Sequence, residues 1–454
     1  MIRKLCIANR GEIAMRIIRT CKEMGIETVI VYSEADRDSM PVQSANESIC
    51  IGDATPGSSY LNANAIIQVA VSTGCDAIHP GYGFLSENAH FARLVQACGL
   101  KFVGPSPSVI EHMGDKNKAR QMIEHLEIPI IAGSQDVISD VRTGMQIAQE
   151  LTYPVVIKAS QGGGGKGMRI VWKEEEFQDS FEQAQKESEN YFNSKELYIE
   201  KFLEHPKHVE VQLACDRFGH VVHLYDRDCS IQVHRQKQIE EAPCYKLSEE
   251  VRQRICQDAV KICQAVHYDS VGTVEFLIDK NGNAYFMEMN TRIQVEHPVT
   301  EMITGLDLIR LQLEIADDKP LSLEQKDVVQ SGHAIECRIN AQDVYQDFVP
   351  SFGTISFLNF PGGRGIRVDS AVYSGDTISP YYDSLVCKLI AYGQTRQECI
   401  QIMKRALEEC FMEGIQTNEM FHYMVLNDRT FLDASYDTAY AGQIMKELNG
   451  NEPI

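Results

Sequence analysis

A chain of 454 residues is too long for one ordinary domain, so about three are expected, each able to bury its own core. Its formal net charge of −21 argues against nucleic acid and acidic membrane surfaces as partners, and no apolar run approaches the roughly 18 residues a membrane span needs. The 14 cysteines are scattered without a Cys-x-x-Cys pair, and a strand-like LCIAN begins almost at Met1 where a signal peptide would stand, so the thiols read as reduced and the protein as cytoplasmic.

Residues 1 to about 110 alternate short apolar runs with helix-like stretches: LCIAN, EIAMRIIRTCKEM, TVIVYS, then DAIHP, NAHFARLVQAC, KFVG. That is a parallel α/β pattern. The turn NRGEIA lacks the G-x-G-x-x-G of dinucleotide sites, so the Rossmann-like look concerns fold alone. Residues 111–130 read as helical, 152–175 as two strands around a glycine loop, and an acidic helix follows to about 192. The strands ELYIEKFL, HVEVQLAC and HVVHLYD come next. Strands from HAIECRIN onward, and helices after about 395, complete the pattern.

Between them, VEFLIDKNGNAYFMEMN (274–290) reads as two strands around a two-residue Asn281-Gly282 loop. That loop sets Lys280 against Asn283 and, counting outward, Glu275 against Glu288. Two carboxylates in a cross-strand pair repel, whereas favourable pairs contribute roughly 0.2–1 kcal/mol. Either both point to water, or something cationic sits between them. Mg²⁺ arriving with a nucleoside triphosphate satisfies the second reading, because one or two carboxylates plus phosphates usually hold it. Asn290 shares a face with Glu288 and can add an oxygen ligand.

The loop in VVIKASQGGGGKGMRIVW contains a G-x-G-x-x-G at Gly162, Gly164 and Gly167. A dinucleotide loop opens a helix, but MRIVW is β-like, and Lys166 precedes Gly167 where a Walker A loop needs Ser or Thr. The alternatives are a surface hairpin and a glycine flap whose N–H groups close over phosphates, with Lys158 at its foot.

A glycine flap, a lysine on the strand before it and E(x)₁₂ExN on a later hairpin resemble the ATP-grasp superfamily. More narrowly, NRGEIAMRI, HPGYGFLSEN, MGDK, VIKAS, GGGGKGM, HVEVQ, EMNTRIQVEHPVTE, ECRINAQD and PYYDSLVCKLI resemble the biotin carboxylase family and span nearly the whole chain. The resemblance implies an α/β and α+β fold in three parts: a Rossmann-like pre-ATP-grasp domain at 1–110, an ATP-grasp domain at 111–318 with a lid at about 131–203, and a mixed α/β domain at 331–440. It also implies ATP- and bicarbonate-dependent carboxylation of biotin through carboxyphosphate.

Residue by residue, the resemblance gives Lys116, Lys158 and the flap residues Gly163, Gly164, Gly165, Lys166, Gly167 and Met168 to the nucleotide. Glu200, Lys201 and Leu203 would meet its adenine and ribose, with His208, Gln232, Arg235 and Leu277 completing the pocket. His208 alternates with Glu210 and Gln212 on one strand face, away from its apolar side. Two Mg²⁺ or Mn²⁺ ions are implied at Glu275, Glu288 and Asn290. Arg292, Gln294 and Glu296 alternate along TRIQVEH, read as an extended segment that poises all three at one pocket. The match gives bicarbonate to Lys237, Arg292, Gln294, Val295 and Glu296, with Glu296 removing its proton. It gives biotin to Tyr82, Gly83, Gln294 and Arg338, where Arg338 stabilises the enolate oxygen.

One stretch departs from the family's C-S-I/M-Q-R-R-x-Q-K. Here CSIQVHRQK puts Val233 and His234 at the two arginine positions and Arg235 next, which puts local contacts in doubt. No A/V-M-K-M biotin acceptor is present; the late Met445-Lys446 reads as helical. The expectation is a subunit acting on a separate biotin carboxyl carrier protein beside carboxyltransferase subunits, as in acetyl-CoA carboxylase, and forming a homodimer. The competing readings are a subunit of another acyl-CoA or pyruvate carboxylase, another acyl-phosphate ligase of the superfamily, and a catalytically silent binding subunit.

Overall fold

Leu5 and Ile7 face one way along the first strand and Cys6 and Ala8 the other, and all four are buried because both sides of their sheet are covered. The computed structural model describes residues 1–134, 136–159, 168–192 and 194–450, with the side chains of 116, 117, 191, 192 and 449 outside the description. Strands β1 (Lys4–Ile7), β2 (Glu27–Ser33), β3 (Glu47–Gly52), β4 (Ala77–His79) and β5 (Lys101–Phe102) form a parallel sheet in the order β3-β2-β1-β4-β5. Helix Gly11–Met24 packs Ile13, Ile17 and Ile18 under Leu5 and Ile7, joined by Leu308 and Ile309 of a much later helix. Helices Ala63–Ser72 and Ala89–Ala97, capped by Asn62 and Asn88, cover the opposite face. Gly25 stops the first helix in the left-handed region at φ 70°.

Three strands, β6 (Val155–Ala159), β7 (Arg169–Val171) and β8 (Leu197–Lys201), make a small antiparallel sheet in the order β7-β6-β8. Helices Val141–Leu151 and Phe177–Phe192 accompany them. This lobe has its own apolar cluster, built on Ile138, Ile157, Phe177, Phe181 and Ile199. Residues 160–167, between β6 and β7, lie outside the described residues.

The largest sheet contains β9 (Lys207–Cys215), β10 (Val221–Val233), β11 (Gln236–Ala242), β12 (Val271–Ile278), β13 (Ala284–Asn290) and β14 (His333–Asn340). Its order is β13-β12-β9-β10-β11-β14, continued by Leu385–Gly393 and Ile366–Ser370. It therefore runs from the central part of the chain into the C-terminal part without an edge between them. Val209, Val211, Val274 and Phe276 turn to one side, under Ile255, Ala259 and Ile262 of helix Glu249–Ala265. Polar residues alternate with them and turn to the other side.

Three expectations change. Residues 111–130 form two helices, Pro107–Gly114 and Lys116–His125, broken at Asp115. The segment TRIQVEH is not extended: residues 291–296 are irregular, and Glu296 stands at the head of helix His297–Thr304, whose Pro298 fits the first turn.

The third change is the hairpin turn. Asp279 N donates to the Asn283 carbonyl at 3.0 Å and Gly282 N to the Asp279 carbonyl at 3.0 Å. The loop is thus three residues, Lys280 to Gly282, closed by Gly282 at φ 81°. The Asp279 carboxylate accepts from the backbone N of Asn281 and Asn283, and so selects this turn. The pairing Phe276↔Phe286 is accordingly one residue off the expected count. A bulge at Met287 then restores it, and Glu275 does pair with Glu288.

Candidate active site

The polar side of the large sheet, the lobe of β6–β8 and the loops beside β4 enclose a cavity of about 950 Å³. Lys158, Met168, Glu200, Lys201, Leu203, His208, Gln232, Arg235, Lys237, Glu275, Leu277, Glu288, Asn290, Arg292, Gln294, Val295, Glu296, Arg338 and Tyr82 all line it. Gly83 does not. The calls on Gly163, Gly164, Gly165, Lys166 and Gly167 lie outside the described residues, as does the side chain of Lys116.

Lys237 is the hub. Its Nζ lies 2.7 Å from Glu210, 3.1 Å from Glu275 and 2.6 Å from Glu296. A register shift between β10 and β11, beside Gln232↔Lys237, turns it inward. Glu275 is buried and saturated. Its Oε1 accepts from Lys237, from Asn290 Nδ2 at 2.8 Å and from Gln294 Nε2 at 2.9 Å, and its Oε2 meets His208 Nε2 at 2.8 Å. Glu275 therefore has Lys237 and His208 directly beside it. Gln232 holds the other ring nitrogen of His208 at 2.7 Å.

Burial opposes ionisation of Glu275, but Lys237 and His208 outweigh it and hold the carboxyl well below its ordinary range. Glu296 behaves likewise: burial raises it, and Lys237, Arg338 and Arg227 bring it far down. Burial also works against the charge on Lys237 and His208, yet the carboxylates around them raise both. Glu275, Glu296 and Lys237 are thus all charged at neutral pH.

Two arginines flank it. Arg338 Nε donates to Glu240 at 2.6 Å, and its terminal nitrogen to Glu296 at 2.8 Å. Among the described residues Arg338 forms no ion pair with Glu336, its neighbour two positions back on β14. Arg292 Nε donates to Glu87 at 2.9 Å and its terminal nitrogen to Asn290 Oδ1 at 3.0 Å. Lys158, on β6, pairs with Glu200 on β8, and Arg120 reaches the same carboxylate at 3.2 Å.

The departure at CSIQVHRQK is a matter of packing. Val233 is buried in the C-terminal apolar cluster with Ile231 and Ile239. His234 and Arg235, both at positive φ, form the two-residue tip between β10 and β11. His234 Nε2 lies 3.2 Å from Asp347. Arg235 lines the cavity, so the strand still presents a guanidinium there.

Sequence reading missed several supports. Fully buried Arg227 donates to Glu210 at 2.6 Å, Gln212 at 2.6 Å and Gln294 at 2.7 Å. Fully buried Lys388 donates to the Val295 carbonyl at 2.9 Å and pairs with Glu12 at 3.0 Å, while Tyr82 OH donates to Glu12. Lys388 is a lone charge inside the apolar run LVCKLIAY, and Arg227 lies between two aspartates in HLYDRDCSI, on a strand in which every residue from Asp226 to Ile231 is buried. Such a charge persists only where partners wait for it, and that was the available signal.

A hairpin lobe with an inward lysine, closing on a sheet whose polar face gathers carboxylates, amides and guanidinia, is the architecture of an ATP-grasp ligase. Family models match residues 1–110 (biotin carboxylase, N-terminal domain), 115–324 (carbamoyl-phosphate synthase L chain, ATP binding domain) and 336–443 (biotin carboxylase C-terminal domain). Biotin carboxylase 1 of Bacillus subtilis is 52% identical over 441 residues, 97% of this chain and 98% of that one. The biotin carboxylase–β,γ-ATP complex of Campylobacter jejuni superposes with a TM-score of 0.95 at 42% identity, covering 98% and 99% of the two chains. The biotin carboxylase domain dimer of Hydrogenobacter thermophilus 2-oxoglutarate carboxylase, complexed with MgADP, ADP and bicarbonate, gives 0.96 at 44% identity with 100% of both covered. The chain belongs to the biotin carboxylase family.

Proposed function

We propose that this chain carboxylates biotin on a separate carrier protein, using ATP and bicarbonate, as the first half-reaction of an acetyl-CoA carboxylase. The observation that carries the reading is the placement of Glu296, an ionised carboxylate between Lys237 and Arg338 with Arg292 lining the same cavity. A base flanked by cations suits an anionic substrate that must give up a proton before it attacks.

Lys158 and Lys116 meet the nucleotide phosphates, with Glu200, Lys201, Leu203, His208 and Leu277 around the base and ribose. The metal donor set fits Mg²⁺ in type: two carboxylates opposed across β12 and β13 and an amide oxygen two residues on are all hard oxygens. Glu275, Glu288 and Asn290 would hold it, exchanging part of the bonding Glu275 now makes to Lys237 and Asn290. When bound, Mg²⁺ neutralises phosphate charge.

Bicarbonate lies against Lys237 and Arg292, and Glu296 takes its hydroxyl proton. Because bicarbonate draws on the same cations, it relieves the field that keeps Glu296 a weak base. The freed oxygen bonds to the γ-phosphorus as the bond to ADP breaks, giving carboxyphosphate, which splits to CO₂ and phosphate. Arg338 faces the biotin enolate oxygen, its charge held in place by two carboxylates. The partners of this reading are the biotin carrier, the carboxyltransferase and a second copy of the chain, in the cytoplasm. No helix among the described residues is long and apolar enough to cross a membrane.

The test is ADP release from ATP. It should require bicarbonate and rise with free biotin. ATP hydrolysis indifferent to bicarbonate would overturn the reading.

A further inference from the structure

Around Arg338 there is more carboxylate than cation to match it. Glu240 on β11 and Glu336 on β14 stand directly opposite each other in the antiparallel register, and both are fully buried. Glu240 Oε1 accepts from Arg338 Nε at 2.6 Å and lies 2.5 Å from a terminal nitrogen. Glu240 Oε2 and both oxygens of Glu336 have no hydrogen-bond partner among the described residues.

The charged groups that face the pair come from four elements. Arg338 shares β14 with Glu336, Lys237 shares β11 with Glu240, Lys388 stands on the next strand, and Glu296 heads the helix packed above. His297 follows Glu296 on the Lys388 side and is held neutral by burial. Lys237 already serves three carboxylates, and Lys388 pairs with Glu12 and lies 3.9 Å from Asp369. Arg338 is thus the cation in direct contact with Glu240, and it shares its charge with Glu296. A buried carboxylate with neither donor nor adjacent cation is driven to its neutral form. Burial accordingly pushes Glu240 up to about 7 and Glu336 well above the carboxylate range.

We propose that Glu240 and Glu336 are a one-proton carboxyl pair that positions Arg338 for the biotin half-reaction. The inference rests on the reading of Arg338 as the enolate partner. With one proton on the pair, Glu336 is neutral and Glu240 carries the charge that grips Arg338 across the site from Glu296. With two, Glu240 lets go, Arg338 swings to Glu296 alone, and the biotin step slows. The pair gives no proton to a substrate.

The experiment compares pH profiles of two rates, biotin carboxylation and bicarbonate-dependent ATP cleavage without biotin, in wild type, Glu240→Gln and Glu336→Gln. In Glu336→Gln the neutral amide stands in for the protonated carboxyl, so the acid limb of biotin carboxylation stays within about half a pH unit of wild type. In Glu240→Gln biotin carboxylation falls about tenfold more than ATP cleavage, because the lost grip concerns only the enolate partner. A Glu336→Gln limb displaced downward by about one pH unit or more, which would mean that Glu336 is charged in wild type, or equal losses of both rates in Glu240→Gln, overturns the pair. If Glu240→Gln does not fold, the Glu336→Gln limb decides alone. Wild-type enzyme with no biotin-dependent rate sinks the proposed function instead, so the two failures are distinct.

Discussion

Replacing Lys237 by Met removes one ammonium from among Glu210, Glu275 and Glu296, all buried. The methylene stem is kept, so the loss is chiefly electrostatic. Leaving a buried carboxylate without its partner costs about 3–5 kcal/mol. Arg227 still holds Glu210, and Arg338 still holds Glu296, so we take the lower half of that range, about 3–4 kcal/mol. At about 2.1 cal/mol/K per residue, a chain of 454 residues unfolding as one shifts by about 1 °C per kcal/mol. The expected fall in Tm is thus about 3–4 °C at pH 8.

The pH dependence makes this specific. In wild type Glu275 and Glu296 ionise far below their ordinary 4.5, so their contribution is complete above that pH and is lost as pH falls through the lower values. Without Lys237, burial is opposed only by His208 at Glu275 and by Arg338 and Arg227 at Glu296, so both pKa values rise, and the variant loses stability as pH rises through them. The Tm gap should therefore narrow at pH 5.5. Bicarbonate-dependent ATP cleavage should fall about 100-fold or more, the usual cost of deleting one preorganised charge. A Tm gap equal at pH 5.5 and pH 8 in differential scanning calorimetry would refute the electrostatic account.

Three further outcomes are expected. Glu288→Gln should lower Mg²⁺-dependent turnover by about 100-fold while leaving Tm within about 1 °C of wild type or above it, since it removes a ligand but also a carboxylate facing Glu275; full activity would return the pair to a merely structural role. Arg338→Ala should slow biotin carboxylation far more than ATP cleavage, and equal losses would assign it to the nucleotide instead. Biotinylated carrier should exceed free biotin in kcat/KM by about 100-fold, through the effective concentration a tether provides; equal values, or biotin found on this chain by intact mass, would remove the separate carrier.

Most of the fold is readable because its elements carry simple periods: apolar runs for the doubly covered β1, β2 and β4, alternation for β9 and β12. The hairpin shows where counting stops working. Asp279 demands a three-residue turn through its side chain, and Met287 bulges, and the two departures cancel at Glu275 and Glu288. Neither is visible as a period. In the site, charges on an alternating face were legible, as with His208 and Glu210. Long-range partners such as Glu87 for Arg292 and Glu240 for Arg338 were not, because strand order sets them and no spacing along the chain reports it.

Lys388 joins three distant parts of the chain. It belongs to a strand of the C-terminal part, yet it fixes the Val295 carbonyl at the cavity wall and, through Glu12, the first helix of the chain and Tyr82. Any substitution that shifts the packing of Leu385–Gly393, including changes in helix Arg396–Glu409 laid against it, reaches the proposed bicarbonate pocket through a single hydrogen bond. A screen for altered bicarbonate KM will therefore collect variants from that sheet and helix as well as from the cavity lining, and distance from the cavity will be a poor guide to which of them act on the chemistry.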